Sequence, residues 1–345
     1  MIIKSIELAN FRNYEKFKLG FSRRATLLVG ENGSGKTSVI EGIYLAVVGK
    51  SFRGGDGEMM RRGAEFYRVE VECSGRMRVV KYDGKRTFLV SGKKYGRLPG
   101  AEKYPVVLFL PSDLNLVGSS PRRKRDYFDG LLSQLDDNYH RALLKYNRAL
   151  KQRNEILKEG RGLGAAEVFP WNVMLAKYGV EMESQRGELQ ERVNRLLGER
   201  YREIARKEDD CRLEVSGLVG ISEGGYLRKL DDGLERDKVI GHTGFGVHRD
   251  EWRFDFNGRP AEATASRGET RSMILALKFI EAELLEERLK KKPVILLDDV
   301  FSELDEERQR NLVRNFARNQ IIMTAVREPE VEGFKLSGLS TQVGG

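Results

Sequence analysis

Apolar and polar residues alternate over positions 2–10 and again over 14–21, and this two-residue period predicts a pair of β-strands joined through the turn-like Arg12-Asn13. Further strands are predicted at 68–73, 77–82, 87–91 and 106–110, and residues 54–57, three of them glycine, predict a mobile loop. The period changes at Ser120-Pro121, a helix N-cap followed by proline at the first helical position. From there to about residue 209 the chain is rich in Lys, Arg, Glu, Leu and Gln and predicts helix, broken near residues 160–164 and restarting at about Pro170-Trp171. Two helices of roughly 35 residues each, rising ~1.5 Å per residue, give an antiparallel arm on the order of 50 Å long. β-type patterning returns at 212–216 and 252–256, and Asn257-Gly258 reads as a tight turn.

Towards the end of the chain, residues 270–289 are strongly helical and follow Ser266-Arg267-Gly268-Glu269. The run Pro293-Val294-Ile295-Leu296-Leu297 is continuously apolar and ends in Asp298-Asp299, the pattern of a parallel strand buried on both faces. Ser302-Glu303-Leu304-Asp305 comes next, then a helix-like stretch to residue 317.

Candidate chemistry begins at Gly30-Glu31-Asn32-Gly33-Ser34-Gly35-Lys36-Thr37, which follows the apolar Leu27-Leu28-Val29 and opens a helix-compatible segment, 37–48. It fits the phosphate-binding loop G-x-x-x-x-G-K-[ST]. The glycines let backbone N–H groups close around a triphosphate, Lys36 reaches the outer phosphates, and the Thr37 hydroxyl sits on Mg²⁺. The positive end of the following helix faces the same anion. A strand ending in Asp beside such a loop completes the Mg²⁺ shell, so Asp298 is the expected metal-side carboxylate and Asp299 is placed to polarise the attacking water. Ser266 and Gly268 put a hydroxyl and a close-approach glycine at another helix N-terminus, a second anion site. Taken alone, Ser266 reads as a capping box or an ordinary N-cap.

The 345 residues suffice for more than one lobe, and the net charge of +9 with pI near 9.4 points to an anionic partner. Cys73 and Cys211 lie far apart without metal spacing, and His140, His242 and His248 form no ligand set. The first residues carry charges where a signal peptide needs an apolar core, and no stretch approaches membrane-spanning length, so a soluble, cytoplasmic protein is expected.

Phosphate loop, helical insert, Ser-x-Gly-Glu helix and acidic strand, in that order, make the chain resemble the ATPase heads of the ABC superfamily. Within it, the chain is similar to the RecF family of bacterial DNA-repair proteins, related to SMC-type heads. The resemblance is carried by Ile3-Lys4-Ser5-Ile6-Glu7-Leu8-Ala9-Asn10-Phe11-Arg12-Asn13-Tyr14, the phosphate loop, Asp126-Tyr127-Phe128-Asp129, Lys151-Gln152-Arg153-Asn154, Gly246-Val247-His248-Arg249-Asp250, Ser266-Arg267-Gly268-Glu269, and Leu297-Asp298-Asp299 with Ser302-Glu303-Leu304-Asp305. It implies an α/β fold: an ABC-type P-loop ATPase head built from residues 1–112 and 239–345, with an inserted, mostly helical second lobe, 113–238, forming a short arm. It also implies ATP and Mg²⁺ as cofactors of a weak ATPase, with Ser38 and Arg12 joining residues 30–37 around ATP. Two copies would enclose two ATP molecules, Ser266, Gly268 and Glu269 of one copy acting on the Lys36 loop of the other, and Ser302 and Asp305 forming the adjoining D-loop. The closed homodimer would hold double-stranded DNA or junctions of duplex and single strand, and hydrolysis would release it. RecO and RecR are the implied partners in loading recombinase at gaps.

Two features depart from the wider superfamily: no Gln follows the strand at 106–110, and Thr324 stands near where a His is usual. Both groups sense the γ-phosphate there, and Thr324 is the candidate substitute. Arg122-Arg123-Lys124-Arg125, Lys93-Lys94 and residues 288–292 are basic runs able to meet a phosphate backbone, or plain solvated faces. With no groove-reading motif, DNA contact is expected to be independent of sequence. The same motifs would also serve the ATPase subunit of an ABC-type transporter, or an SMC-like structural chromosome ATPase.

Overall fold

The computed structural model describes residues 2–159, 165–217, 220–327 and 340–342, in two units: Met1–Leu114 with Ile274–Gly345, and Asn115–Met273. In the first unit the alternating segments become β1 (Ile3–Phe11), β2 (Tyr14–Gly20), β3 (Ala25–Val29), α1 (Lys36–Val48), α2 (Asp56–Met59), β4 (Tyr67–Cys73), β5 (Arg76–Tyr82), β6 (Arg86–Val90), β7 (Lys93–Tyr95) and β8 (Val106–Phe109). Six of these strands form an antiparallel sheet in the order β2-β1-β4-β5-β6-β7. Pairs such as Leu8↔Val69 and Ile6↔Val71 put every second residue on the buried face. Helix α1 lies on that face at Gly42, where a Cβ would meet Leu8 and Ile6 at 3.0 and 3.1 Å, so glycine sets the closeness of approach. β7, at three residues, was too short for the period to show. The glycine-rich loop expected at 54–57 instead begins α2 at Asp56.

The second unit holds α3 (Pro121–Leu135), α4 (Asp137–Glu159), α5 (Ala165–Ala205), β9 (Cys211–Ser216), α6 (Glu223–Asp232), α7 (Leu234–Ile240), β10 (Glu251–Phe256), β11 (Arg259–Pro260) and α8 (Ala261–Thr264). Ser120 caps α3, its hydroxyl accepting from the Arg123 amide. The first expected arm helix is in fact two: Asp136 turns extended and its carboxylate accepts from the Asn138 amide, a capping role that stops one helix and starts the next. The second is longer than expected at 41 residues, about 60 Å. It starts before Pro170, since a proline in the second turn deletes a single N–H donor while Val168, Asn172, Leu175 and Ala176 keep the helix face buried. The break expected near 160–164 lies outside the described residues.

Residues 239–273, expected with the ATPase lobe, pack in this second unit instead. β10 pairs with β9 from Glu251↔Ser216 to Phe256↔Cys211, and Trp252 stacks on Phe128 of α3 at 4.0 Å. The free edge of β9 is closed by α5: the Asn194 amide both donates to and accepts from the Leu213 backbone at 2.8 Å, and Gln190 accepts from the Val215 amide. The three motif segments of this unit meet in its interior. Buried Arg186 of α5 donates to Asp129, Asp250, Tyr139 and the Val247 carbonyl. Buried Arg153 donates to Asn172, Asp237 and Thr243. At Gly246, φ 132°, a Cβ would fall 2.4 Å from the Tyr146 and Tyr226 hydroxyls. Segments 126–129, 151–154 and 246–250 therefore pack the unit together.

The chain returns to the first unit along α9 (Arg267–Leu289) and adds β12 (Val294–Leu297), α10 (Glu306–Asn315), β13 (Ile321–Ala325) and β14 (Ser340–Gln342). A second sheet, in the order β14-β3-β13-β12-β8, is parallel throughout. Its core strands are apolar on both faces because helices or the other sheet cover them. Parallel pairing places the C-terminal ends of β3, β13 and β12 side by side, where ligands bind in such sheets.

Candidate active site

The segment Gly30–Thr37 connects β3 to α1 and folds back over the helix start. Gly33 and Gly35 have φ of 85° and 98°, the left-handed region, and a Cβ at Gly35 would lie 2.5 Å from the Tyr14 hydroxyl. That hydroxyl, pushed up to about 12 by burial and so protonated, donates to the Ser34 carbonyl. Lys36 is 3% exposed, and its ammonium bridges the Gly30 and Glu31 carbonyls at 2.7 and 2.9 Å. The Ser34 hydroxyl is buried without a partner, an unmet polar group in a loop whose chemistry suits phosphate oxygens.

Opposite the loop, β12 delivers its two carboxylates. Asp298, 6% exposed, accepts from the Thr37 hydroxyl at 3.0 Å and the Thr324 hydroxyl at 2.9 Å, and burial raises its pKa against these hydrogen bonds. Asp299 has φ 51°, and its amide donates to Thr324 Oγ1 at 2.8 Å. A cavity of about 440 Å³ is lined by Lys36, Thr37, Ser38, Arg12, Arg53 and Asp299, among others including Asn32, Gly33 and Gly35. Gly30, Glu31, Asp298 and Thr324 are not among the lining residues; Asp298 reaches the site through its bond from Thr37. Thr37 and Asp298 offer oxygen ligands of the kind Mg²⁺ takes, and no group of three or more His, Cys, Asp or Glu competes among the described residues. Two protein oxygens with phosphates and waters are a usual Mg²⁺ shell, so the residues fit the ion.

Arg53 and the residue that orders Arg12 escaped the sequence reading. Glu41 of α1, fully buried, accepts from Arg12 Nε and Nη2 at 2.8 and 2.7 Å and from the Ser51 hydroxyl at 2.5 Å, and Arg53 stands 3.9 Å away. Arg12 completes its contacts on the Glu58 carbonyl at 2.7 Å. A lone glutamate inside the apolar run of α1 was the available signal.

The remaining expected residues lie elsewhere. Ser266 and Glu269 form a reciprocal capping box on α9, at 2.8 and 3.3 Å. Lys207 and then the Ser266 amide hold the Glu269 carboxylate down at about 2. Neither they nor Gly268 line the cavity. Ser302 donates to the Asp299 carbonyl, and Asp305 caps α10. The basic run of α3 needs correcting: Lys124 is 5% exposed and paired with Glu262, and Arg125 donates to the Asp250 carbonyl at 2.7 Å, because the helix turns these two positions inward. Arg122 is exposed and Arg123 half-buried, and Lys93 and Lys94 are exposed on β7.

A family model described as an AAA domain matches residues 5–209. The DNA replication and repair protein RecF of Lachnoclostridium phytofermentans is 32% identical over 342 residues, covering 94% of this chain and 92% of the relative. RecF of Caldanaerobacter subterraneus subsp. tengcongensis is also 32% identical, with 96% of each covered. Among solved structures, the recombination mediator protein RecF-ATP of the RecFOR pathway superposes with TM-score 0.85 at 30% identity, over 96% of this chain and 93% of that one. An Smc head bound to the C-winged helix domain of ScpA shares the fold, with TM-score 0.50 at 16% identity over 95% and 90%. The architecture is that of an ABC-type P-loop ATPase head. No described helix is long and apolar enough to cross a membrane.

Proposed function

Because the chain belongs to the RecF family of DNA replication and repair proteins, we propose that it is an ATP-controlled clamp on double-stranded DNA. It is a Mg²⁺-dependent ATPase that releases ADP and phosphate. The observation that carries the reading is the Thr37 hydroxyl set 3.0 Å from Asp298, at a cavity lined by Lys36, Thr37 and Asp299. When bound, Mg²⁺ supplies charge neutralisation at the phosphate oxygens, held by Thr37 and Asp298. Lys36, released from the Gly30 and Glu31 carbonyls, pairs with the outer phosphates, and the loop from Gly30 to Ser38 binds the rest through its N–H groups. Arg12, its guanidinium held by Glu41, lines the same cavity. Asp299, at its edge, orients the attacking water and takes up its proton.

Half of the site is assigned to a second copy. Ser266 is exposed at the positive end of α9, 23 residues long, and Gly268 leaves room there for a phosphate; both act on the nucleotide of the partner copy. Glu269 fixes Ser266 through the capping box, and Ser302 and Asp305 follow the acidic strand into the dimer contact. The closed homodimer holds duplex DNA or duplex/single-strand junctions through exposed Lys93, Lys94 and Arg122 and half-buried Arg123, without sequence readout. Hydrolysis opens it. RecO and RecR are the proposed partners in recombinase loading, in keeping with the RecFOR pathway of the similar solved structure.

The test is the anisotropy of a labelled duplex at fixed salt with ATP or ADP. ATP is expected to tighten binding several-fold in the wild type and not in Lys36→Ala. Equal, weak binding in every condition rules the clamp out.

A further inference from the structure

Thr324 lies where three parallel strands end together. It follows Met323, which pairs with Leu297 of β12, so the register sets it beside Asp298. Its side chain is fully buried and is not among the residues that line the cavity. A hydroxyl carries one proton and two lone pairs. Here Thr324 Oγ1 stands 2.9 Å from Asp298 Oδ1 and 3.3 Å from Asp299 Oδ1, and it accepts the Asp299 N–H at 2.8 Å. One hydroxyl thus meets both carboxylates and the backbone of the second.

The two carboxylates receive different treatment. A single proton cannot serve both at full strength, and the shorter bond goes to Asp298, whose Oδ1 also accepts from Thr37. Asp299 keeps its side chain at the cavity. Its φ of 51° is a conformation that a non-glycine residue adopts only when its surroundings hold it, and the bond from its N–H to Thr324 is one such hold.

We propose that Thr324 is a positioning residue for the acidic pair, keeping Asp298 turned to Thr37 and the metal side while fixing the Asp299 backbone so that its carboxylate faces the cavity. The inference rests on the ATPase reading of this site. Thr324→Val preserves shape and removes the hydroxyl, and Thr324→Ser restores it. Three quantities separate the cases: affinity for a fluorescent ATP analogue with and without Mg²⁺, steady-state kcat and KM, and thermal midpoint. The valine variant is expected to bind the analogue normally without Mg²⁺, to lose most of the affinity that Mg²⁺ adds, and to turn over at least tenfold more slowly; serine should recover both. A valine variant with the wild-type Mg²⁺ gain and kcat overturns the proposal. So does a folded serine variant as impaired as valine, or a valine variant altered in thermal midpoint alone. Should valine fail to fold, Thr324→Cys, a weak donor of similar size, takes its place on the same readouts. A wild type with no more Mg²⁺-dependent binding than Lys36→Ala instead brings down the ATPase reading, and this proposal with it.

Discussion

His248 has both ring nitrogens engaged inside the second unit. Nε2 faces the Thr243 carbonyl at 3.0 Å and must carry the proton, so Nδ1 accepts from the Tyr146 hydroxyl at 2.8 Å. Burial, with Arg249 and Arg125 nearby, pulls its pKa from the ordinary 6.5 down to about 4, against the Thr243 carbonyl. Between those values the unfolded chain binds more protons than the folded one, so stability is full above pH 6.5 and is lost as pH falls towards 4. At about 1.4 kcal/mol per pKa unit, reduced for the ring's partial exposure, the loss is on the order of 2 kcal/mol. Unfolding free energies from urea titrations at pH 7 and 5 should differ more for the wild type than for His248→Gln, by about 1 kcal/mol, since pH 5 reaches only part of the window; parallel behaviour would refute the assignment. The sequence showed His248 inside a recognisable segment but not its surroundings, since Tyr146 is 102 positions away.

Among the elements, β9 relies on side chains outside the sheet. Asn194 stands in for a neighbouring strand, giving one donor and one acceptor to Leu213. Asn194→Ala leaves both backbone groups unpaired at a cost of about 2 kcal/mol, and frees an edge on which other chains can pair. A lower urea midpoint together with concentration-dependent light scattering is expected; an unchanged midpoint would show that water replaces the amide. The period of the sequence located β9 to within a residue of its observed start, because strand patterning is local. It could not reveal that α5 closes the edge. Nor did it place the break at Asp136, where the capping carboxylate outweighed a run of good helix formers.

At the scale of the whole molecule, the proposed function divides the site between two copies of the chain, so on that reading hydrolysis should depend on their meeting. Specific ATPase activity is expected to rise several-fold with protein concentration and then level off, while nucleotide affinity at low concentration stays constant; activity flat across dilution would make the single chain self-sufficient. What the sequence determined by itself was the phosphate loop, the acidic strand and the helical insert. These are written in short spacings: glycines where φ must be positive, an apolar run where a strand is covered on both faces, a helix period where one face is buried. Tertiary structure alone decided which charges are spent. Lys124 and Arg125 look like neighbours of Arg122 in the sequence, yet the turn of α3 sends them to Glu262 and Asp250. Glu41 holds Arg12 from 29 positions away, Arg186 draws in Asp129 and Asp250, and Thr324 comes between two aspartates through the register of β12 and β13. Each pairing joins residues distant in the chain, and its energy comes from burial that exists only after packing, so no local pattern of residues records it.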